Sequence, residues 1–566
     1  MQYTRREHER FLDEELLTIS DKYVQLIRRS ALALMEQGEI FLSQFIKIDE
    51  DGCAILKMRN SRGLPRKGDY FCATLLIGEM AKYRNWGNIS WADLRKRYQK
   101  EFSDVVCVWL GKTEDPEFSF VGIKGVSLDL ARELVTGCIL VLGPQEPPIA
   151  YYKNLITIIR QEPDNTAVGK MLDYSALPIN WNPIKIGAEE SSGSYFSGQL
   201  SLSDYIIVQG PPGTGKTYKM ADLICKLPKG SSVLVTALTN RALMELAGKD
   251  ILKPMLDECK IYKTSLTSDE QRELPKLQPI VGKDVHCMPG CLTLATFYAS
   301  SYWAAKDCEE PLFDYVIMDE ASQAFFAMIC AGRKLGKKVI WIGDQCQMPP
   351  IINMDIDRMN QRNWFGLAAG FKTLCDYFSY PSFFLNESYR LSERACRYTG
   401  VFYDNSLNSV SGIQSGIKLP SLHPLGGPSL FSLDLPLGDR CPVEMTQTVT
   451  GLLQELLGIN PKMQIAVLTK FRSTVKILQR AFVSCFGEKN NVLIDTVERV
   501  QGLTCDVCIF CIPNDLVYMS LEKTFFNVAT SRARYNTIIV SDKNLVSSIE
   551  MNSPVKKYMS LLIGDK

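Results

Sequence analysis

Eight consecutive residues, Gly210-Pro211-Pro212-Gly213-Thr214-Gly215-Lys216-Thr217, have the types and order that hold phosphate. Glycines let the backbone curl so that successive N–H groups point at phosphate oxygens. A lysine supplies a compact charge for the β- and γ-phosphates, and a threonine hydroxyl is a ligand for Mg2+. The run lies between an apolar segment, YIIVQ, and a segment of helical periodicity, YKMADLICKL. That strand–loop–helix context argues against a mere glycine-rich turn. The chain is therefore expected to bind a nucleoside triphosphate with Mg2+.

About a hundred residues on, the apolar run Tyr315-Val316-Ile317-Met318 leads into Asp319-Glu320. Two carboxylates at the end of a buried strand suit hydrolysis: Asp319 to hold the metal, Glu320 to orient and deprotonate the attacking water. A helix N-terminus would also favour acids, so the pair gains weight from the phosphate loop before it. A third strand end, VIWIGDQCQMPP, offers Gly343, Asp344 and Gln347, with the glutamine placed to sense a γ-phosphate. In an open α/β sheet, ligands sit at this edge.

Elements must carry these residues to one place. From 204 onward, apolar runs alternate with helical segments, the pattern of parallel α/β sheets. YIIVQ, SVLVTA, LTLAT, YVIMDE and KVIWIGD read as one series; SFFLN, IAVLTK, VLIDTV, DVCIFCIP and NTIIVSD read as a second. Residues 8–36 carry apolar side chains at helical spacing, as one long helix or a helical pair. Short runs from about 42 (FLSQFIKI, GCAILKM, DYFCATLLIG, DVVCVWLG, GCILVLGP) read as strands of a small sheet or barrel. The expected organisation is a helical stalk over 1–41, a barrel-like module over 42–164 and a connection over 165–203. Two α/β sheet domains follow, over 204–378 and 379–566.

Composition limits the rest. Across 566 residues, 64 Lys and Arg oppose 63 Asp and Glu, which excludes a uniformly basic nucleic-acid coat. No run reaches the ~20 apolar residues of a membrane span. The first residues, MQYTRREHERFLDEELL, have no apolar signal core. Eighteen cysteines with only His8, His286 and His423 suggest reduced thiols in the cytoplasm, or the nucleus, rather than a disulfide framework. CDVCIFC, with Cys505, Cys508 and Cys511, reads as a buried strand before it reads as a metal site.

Taken in order, GPPGTGKT, DEAS, GDQCQMPP, LNESYRL, DTVERVQGLTCDV and NVATSRAR resemble the motif series of superfamily 1 helicases, in particular the UPF-like branch. FYDNSL (402–407) resembles a further segment of that branch. The match spans roughly 204–545. It implies two tandem RecA-like domains preceded by the stalk and barrel, with ATP hydrolysed between them. The resemblance makes Tyr389 a stacking partner of the base, Arg390 and Arg532 arginine fingers on the γ-phosphate, and Gln501-Gly502 a coupling element. It also assigns Thr236, Asn240 and Thr296 to the sugar–phosphate backbone. Three features depart from the family: Thr504 replaces a glutamate that meets the ribose, Ser388 replaces a glutamine, and no clear adenine-reading segment precedes the phosphate loop, Gln199 being the nearest.

Local charge supplies what net charge lacks. Residues 51–100 hold eleven Lys or Arg against four acids, and Arg62, Arg66 and Lys67 lie in an acid-free loop, 57–68. Such a loop suits phosphates or is simply solvated; Tyr70, Trp86 and Trp91 are candidate stacking platforms. The expected activity is an ATP-dependent helicase acting as a monomer on single-stranded DNA or RNA, away from membranes, moving 5′-to-3′ by family resemblance. The alternative is an ATP-gated clamp with little unwinding.

Overall fold

The computed structural model describes residues 2–564 except 78–85, 176, 188–191, 283, 307–309, 423–425, 488, 490, 501 and 550–552. Gln501 and His423 lie outside the described residues. A nine-stranded parallel sheet forms around the phosphate loop, in the order 278–280, 261–264, 292–296, 233–237, 313–318, 336–343, 205–209, 382–385, 184–186. A second parallel sheet follows, in the order 429–433, 533–542, 505–512, 465–469, 492–496. Both are covered by helices, so their strands are apolar almost throughout: Val233–Ala237 and Ile465–Thr469 are buried at every position.

The N-terminal module is a closed six-stranded antiparallel barrel, 41–48, 54–59, 118–124, 99–112, 70–76, 139–143. The strand Ala54–Arg59 alternates in burial, one face filling the barrel and the other turned outward, whereas Tyr70–Leu76 is buried at every position after its first. The strand Phe118–Lys124 is not among those expected from the sequence.

The stalk is a helical pair, Arg5–Ile27 and Ala31–Glu36. Thr4 and Glu7 form a capping box at its start. Phe11 and Leu12 are buried, with Phe11 edge-on to Phe325 and Trp364 of the first sheet domain. Their removal from water contributes about 1.5–3 kcal/mol each. The buried Glu15 carboxylate accepts from Asn353 N, Asn353 Nδ2 and Met354 N at 2.7, 2.8 and 3.0 Å, fixing the stalk to the loop after Gln347. Helix Ile149–Gln161 packs on the stalk rather than extending the barrel.

Two sequence expectations are corrected. SFFLN does not open the second sheet: Ser382–Leu385 pairs in parallel with Tyr205–Gln209 of the first. The stretch expected as a connection contributes the edge strand Ile184–Ile186 and the helix Ser192–Leu202. Among the described residues no helix is long and apolar enough to cross a membrane.

Candidate functional site

The strand Tyr205–Gln209 delivers the phosphate loop to the edge where the second sheet domain approaches, and the helix Lys216–Lys226 begins at its end. Gly213 and Gly215 adopt positive φ, +76° and +74°, which glycine tolerates freely. A Cβ on Gly213 would lie 2.5 Å from Arg390 Cβ and 2.6 Å from Ser388 Oγ, so nothing larger fits. The loop braces itself: Thr214 Oγ1 donates to Pro211 O at 2.8 Å and Lys216 Nζ to Gly210 O at 2.6 Å.

The loop forms one wall of a cleft of about 310 Å³ that Asp319, Glu320 and Gln347 also line, from two other strand ends of the same sheet. Pro212, Gly213, Thr214, Gly215, Lys216 and Thr217 line it from the loop, and Tyr389, Arg390, Gly502, Thr504 and Arg532 line the opposite side. Residues far apart in the chain thus meet in one concave site, as small-molecule sites require. Glu320 sits in the left-handed region at φ +50°, a conformation uncommon for a residue with a side chain, and Gln323 Nε2 donates to its carboxylate at 3.0 Å. A Cβ on Gly502 would lie 3.8 Å from Glu320 Oε1, so the second domain's turn closes directly over the candidate base.

The segment carrying Tyr389 and Arg390 is tied to the phosphate loop by Tyr389 N to Gly213 O at 2.8 Å and Ser388 Oγ to Pro212 O at 3.1 Å. Ser388, a departure from the family, thereby serves as a short tether. Tyr389 keeps half its surface exposed, with its ring 3.6 Å from where a Cβ on Gly215 would stand. An aromatic face is thus available beside the loop. Gln199 does not line the cleft.

Electrostatics show what the cleft is built to receive. Burial pushes Lys216 down and Asp319 up; it also raises Glu320, with the adjacent Asp319 charge adding to the effect. Arg390 is pushed down to about 10 by burial and then by Arg532. Arg532 is itself lowered by burial, and its Nη2 is buried without a hydrogen-bond partner among the described residues. Three enclosed cations and two enclosed carboxylates are all held where their charge is disfavoured. A polyphosphate paired with a divalent cation would meet both needs, and Thr217 and Asp319 are the residues that could hold the cation. Mg2+ typically takes few protein ligands and keeps waters and phosphate oxygens. Among the described residues no group of three or more His, Cys, Asp or Glu is arranged to hold a metal by itself. Cys505, Cys508 and Cys511 are buried in the strand Cys505–Ile512.

Beside the cleft, Tyr403 OH donates to Asp344 Oδ2 at 2.7 Å and accepts from Asn527 Nδ2 at 2.8 Å. FYDNSL and NVATSRAR draw attention to these segments, but spacing alone does not single out Tyr403 or Asn527.

The expected strand contacts divide. Thr236 is fully buried and its hydroxyl is shared with Ser300 Oγ at 2.8 Å, so its side chain does not reach a strand. It stands on a strand buried on both faces, a fact that a motif match does not reveal. Thr296 caps the helix Phe297–Ala304, accepting from Ala299 N at 3.4 Å, and remains partly exposed. Asn240 is also partly exposed, and its Oδ1 accepts from the buried Lys263 Nζ at 2.9 Å. Trp86 and Trp91 are core residues rather than stacking platforms.

A second cavity, about 1010 Å³, lies between the barrel and the second sheet domain. Arg66, Lys67 and the exposed Tyr70 line it from the barrel; Arg62 is exposed but does not line it. Arg472 and Lys476, one turn apart on the helix Arg472–Phe486, form the facing wall. Their i, i+4 spacing is legible as a basic helix face; that it faces the barrel is not. Arg499 closes one end, donating to Gly68 O at 3.1 Å and lying 3.6 Å from the Asp69 carboxylate.

Family models described as AAA domain match residues 292–354 and 440–544. The DNA replication ATP-dependent helicase/nuclease DNA2 of Saccharomyces cerevisiae is 26% identical over 415 residues, covering 64% of this chain and 26% of that protein. DNA polymerase alpha-associated DNA helicase A of Schizosaccharomyces pombe is 21% identical over 443 residues, covering 64% of each. The chain thus spans about a quarter of the first relative and under two thirds of the second. The solved arterivirus nonstructural protein 10 (helicase) superposes with a TM-score of 0.37 at 11% identity, covering 86% of this chain and 80% of that one.

Proposed function

We propose that the chain is a superfamily 1 helicase, an ATP-driven motor that moves along single-stranded nucleic acid and unwinds duplexes, a reading supported by the matched AAA domain models and the helicase relatives. The observation that carries this reading is the cleft itself: Lys216, Asp319, Glu320 and Gln347 on one sheet domain face Arg390 and Arg532 across its mouth.

Bound Mg2+, held by Thr217 and Asp319, would neutralise charge on the phosphates. Lys216 leaves its Gly210 carbonyl to pair with the β- and γ-phosphates while the loop N–H groups, freed for close approach by Gly210, Gly213 and Gly215, cradle them. Pro211 and Pro212 stiffen the entry to the turn and Thr214 braces it. Glu320 accepts a proton from water as that water attacks in line, and Gln347 helps orient the water. Arg390 and Arg532 meet the charge that develops on the γ-phosphate, so hydrolysis proceeds only when the domains are closed. Tyr389 stacks on the base, and Gly502 brings the second domain over Glu320.

The strand is held by Asn240 and Thr296 on the first domain and by Arg66 and Lys67, with Arg62 nearby, on the barrel. Contacts of this kind go to the backbone and distinguish DNA from RNA poorly. Translocation in the 5′-to-3′ sense follows the family resemblance. An ATPase assay with matched DNA and RNA, paired with strand displacement on 5′- and 3′-tailed duplexes, tests the reading. Stimulated hydrolysis with no displacement on any substrate would favour the ATP-gated clamp instead.

A further inference from the structure

A chain of buried hydrogen bonds crosses between the sheet domains next to the cleft. Asp344 stands at the end of the strand Gly336–Gly343 and is saturated by four donors. Its Oδ1 accepts from Gln209 Nε2 at 2.7 Å and from Cys346 N at 3.0 Å. Its Oδ2 accepts from Gln347 Nε2 at 3.0 Å and from Tyr403 OH at 2.7 Å. The Tyr403 oxygen accepts in turn from Asn527 Nδ2, which also donates to Cys346 O at 2.7 Å. Cys346 Sγ donates to Phe402 O at 3.2 Å. Asp344, Cys346, Tyr403 and Asn527 are all buried.

The direction of these bonds matters. Three donors come from the first domain itself: Gln209 Nε2 and Cys346 N on Oδ1, and the Gln347 carboxamide on Oδ2. Among the described residues the Tyr403 hydroxyl alone reaches Asp344 from outside, and Asn527 aims that hydroxyl by donating to it. Asp344 Oδ2 is also the acceptor that orients the Gln347 carboxamide, which faces the cleft. When the domains separate, Asp344 loses one of two donors on that oxygen and the turn 344–347 loses its grip on Asn527 and Phe402. The preferred placement of Gln347 then changes, because a buried carboxylate with a free lone pair recruits whatever donor is nearest.

We propose that Tyr403 and Asn527 are positioning residues for hydrolysis: through Asp344 they set the Gln347 carboxamide only while the two sheet domains are docked. Neither of them lines the cleft. This rests on the reading of the cleft as an ATP-hydrolysis site, and supplies a route by which closure is sensed separately from the arginines.

The test uses the full chain with saturating oligo-dT or oligo-U as stimulus. Tyr403→Phe removes one oxygen and keeps the ring packed. The expected result is a kcat at least tenfold lower, with the KM for ATP and the affinity for a non-hydrolysable ATP analogue within twofold of the parent. The double variant Tyr403→Phe/Gln347→Ala should be no slower than Gln347→Ala alone, because both changes remove one function. Asn527→Ala should reproduce the kcat defect and serves if Tyr403→Phe does not fold. A parental kcat in Tyr403→Phe, or losses that multiply in the double variant, would overturn the proposal. So would a parental kcat in Gln347→Ala, or failure of both single variants to fold, which would leave the contact purely structural. Failure of the underlying reading would look different: Lys216→Ala would then hydrolyse ATP as the parent does.

Discussion

The cleft and the groove are both built from charge, and they use it in opposite ways. In the cleft, Lys216, Arg390 and Arg532 are enclosed, their charge disfavoured by burial. Few groups suffice there, because each acts at short range in a poorly hydrated site. In the groove, the cavity between the barrel and the second sheet domain, the exposed Arg66, Lys67, Arg472 and Lys476 line a space roughly three times the cleft's volume. Glu39, Asp69, Asp495 and Glu498 are also on its wall. Exposed charges act collectively, are screened by salt, and release counterions from a bound strand. On the proposed reading the cleft would supply geometry and chemistry, and the groove would supply retention.

The comparison breaks most decisively at Lys216. Lys216→Ala is expected to abolish turnover, with residual ATPase below about 1% of the parent, while oligonucleotide binding measured by anisotropy changes little. Should strand affinity collapse in parallel, the two sites would not be separable. Glu320→Gln should lower kcat by about 10²–10⁴-fold and leave nucleotide affinity intact, so that bound ATP accumulates unhydrolysed in a filter assay.

The groove responds differently. Replacing Arg66, Lys67 and Lys476 by Ser is expected to weaken oligonucleotide binding by about tenfold at about 0.1 M salt. The plot of log affinity against log salt should become shallower by about 2, since each phosphate contact on a single strand contributes about 0.7. Basal ATPase should hold. An unaltered slope would reduce these residues to a solvated surface.

The smallest effect concerns stability and its sign. Burial and Asp319 raise Glu320 in the folded protein above its unfolded value. The group's contribution is therefore fully present at pH below the unfolded value and is lost as pH rises through the folded one. Glu320→Gln carries no such loss. Its nucleotide-free form should melt higher than the parent by about 2 °C at about pH 8, and the difference should vanish near pH 4.5. A constant difference across pH would place the stabilisation elsewhere than in the carboxylate's ionisation.

Much of this is legible beforehand where local chemistry repeats local rules. Strands buried on both faces read as unbroken apolar runs, so YIIVQ, SVLVTA and IAVLTK stand out. The strand Ile261–Thr264 does not, because Lys263 interrupts it, and its side-chain acceptors Glu270 and Asn240, both outside the strand, explain a lysine there. The strand Ser429–Leu433 is hidden by serines in the same way. SFFL reads correctly as a strand but belongs to the other sheet, since strand character is local and strand pairing is not.

The sequence by itself determined the phosphate loop, the paired carboxylates and the order of the motifs, because each depends on neighbours within a few residues. Only the tertiary structure decided that Thr236 is buried, that Trp86 and Trp91 are core, and that Tyr403 and Asn527 reach Asp344. It alone set the basic helix against the barrel. Burial and long-range hydrogen bonding are properties of packing between distant segments, and no local pattern carries them.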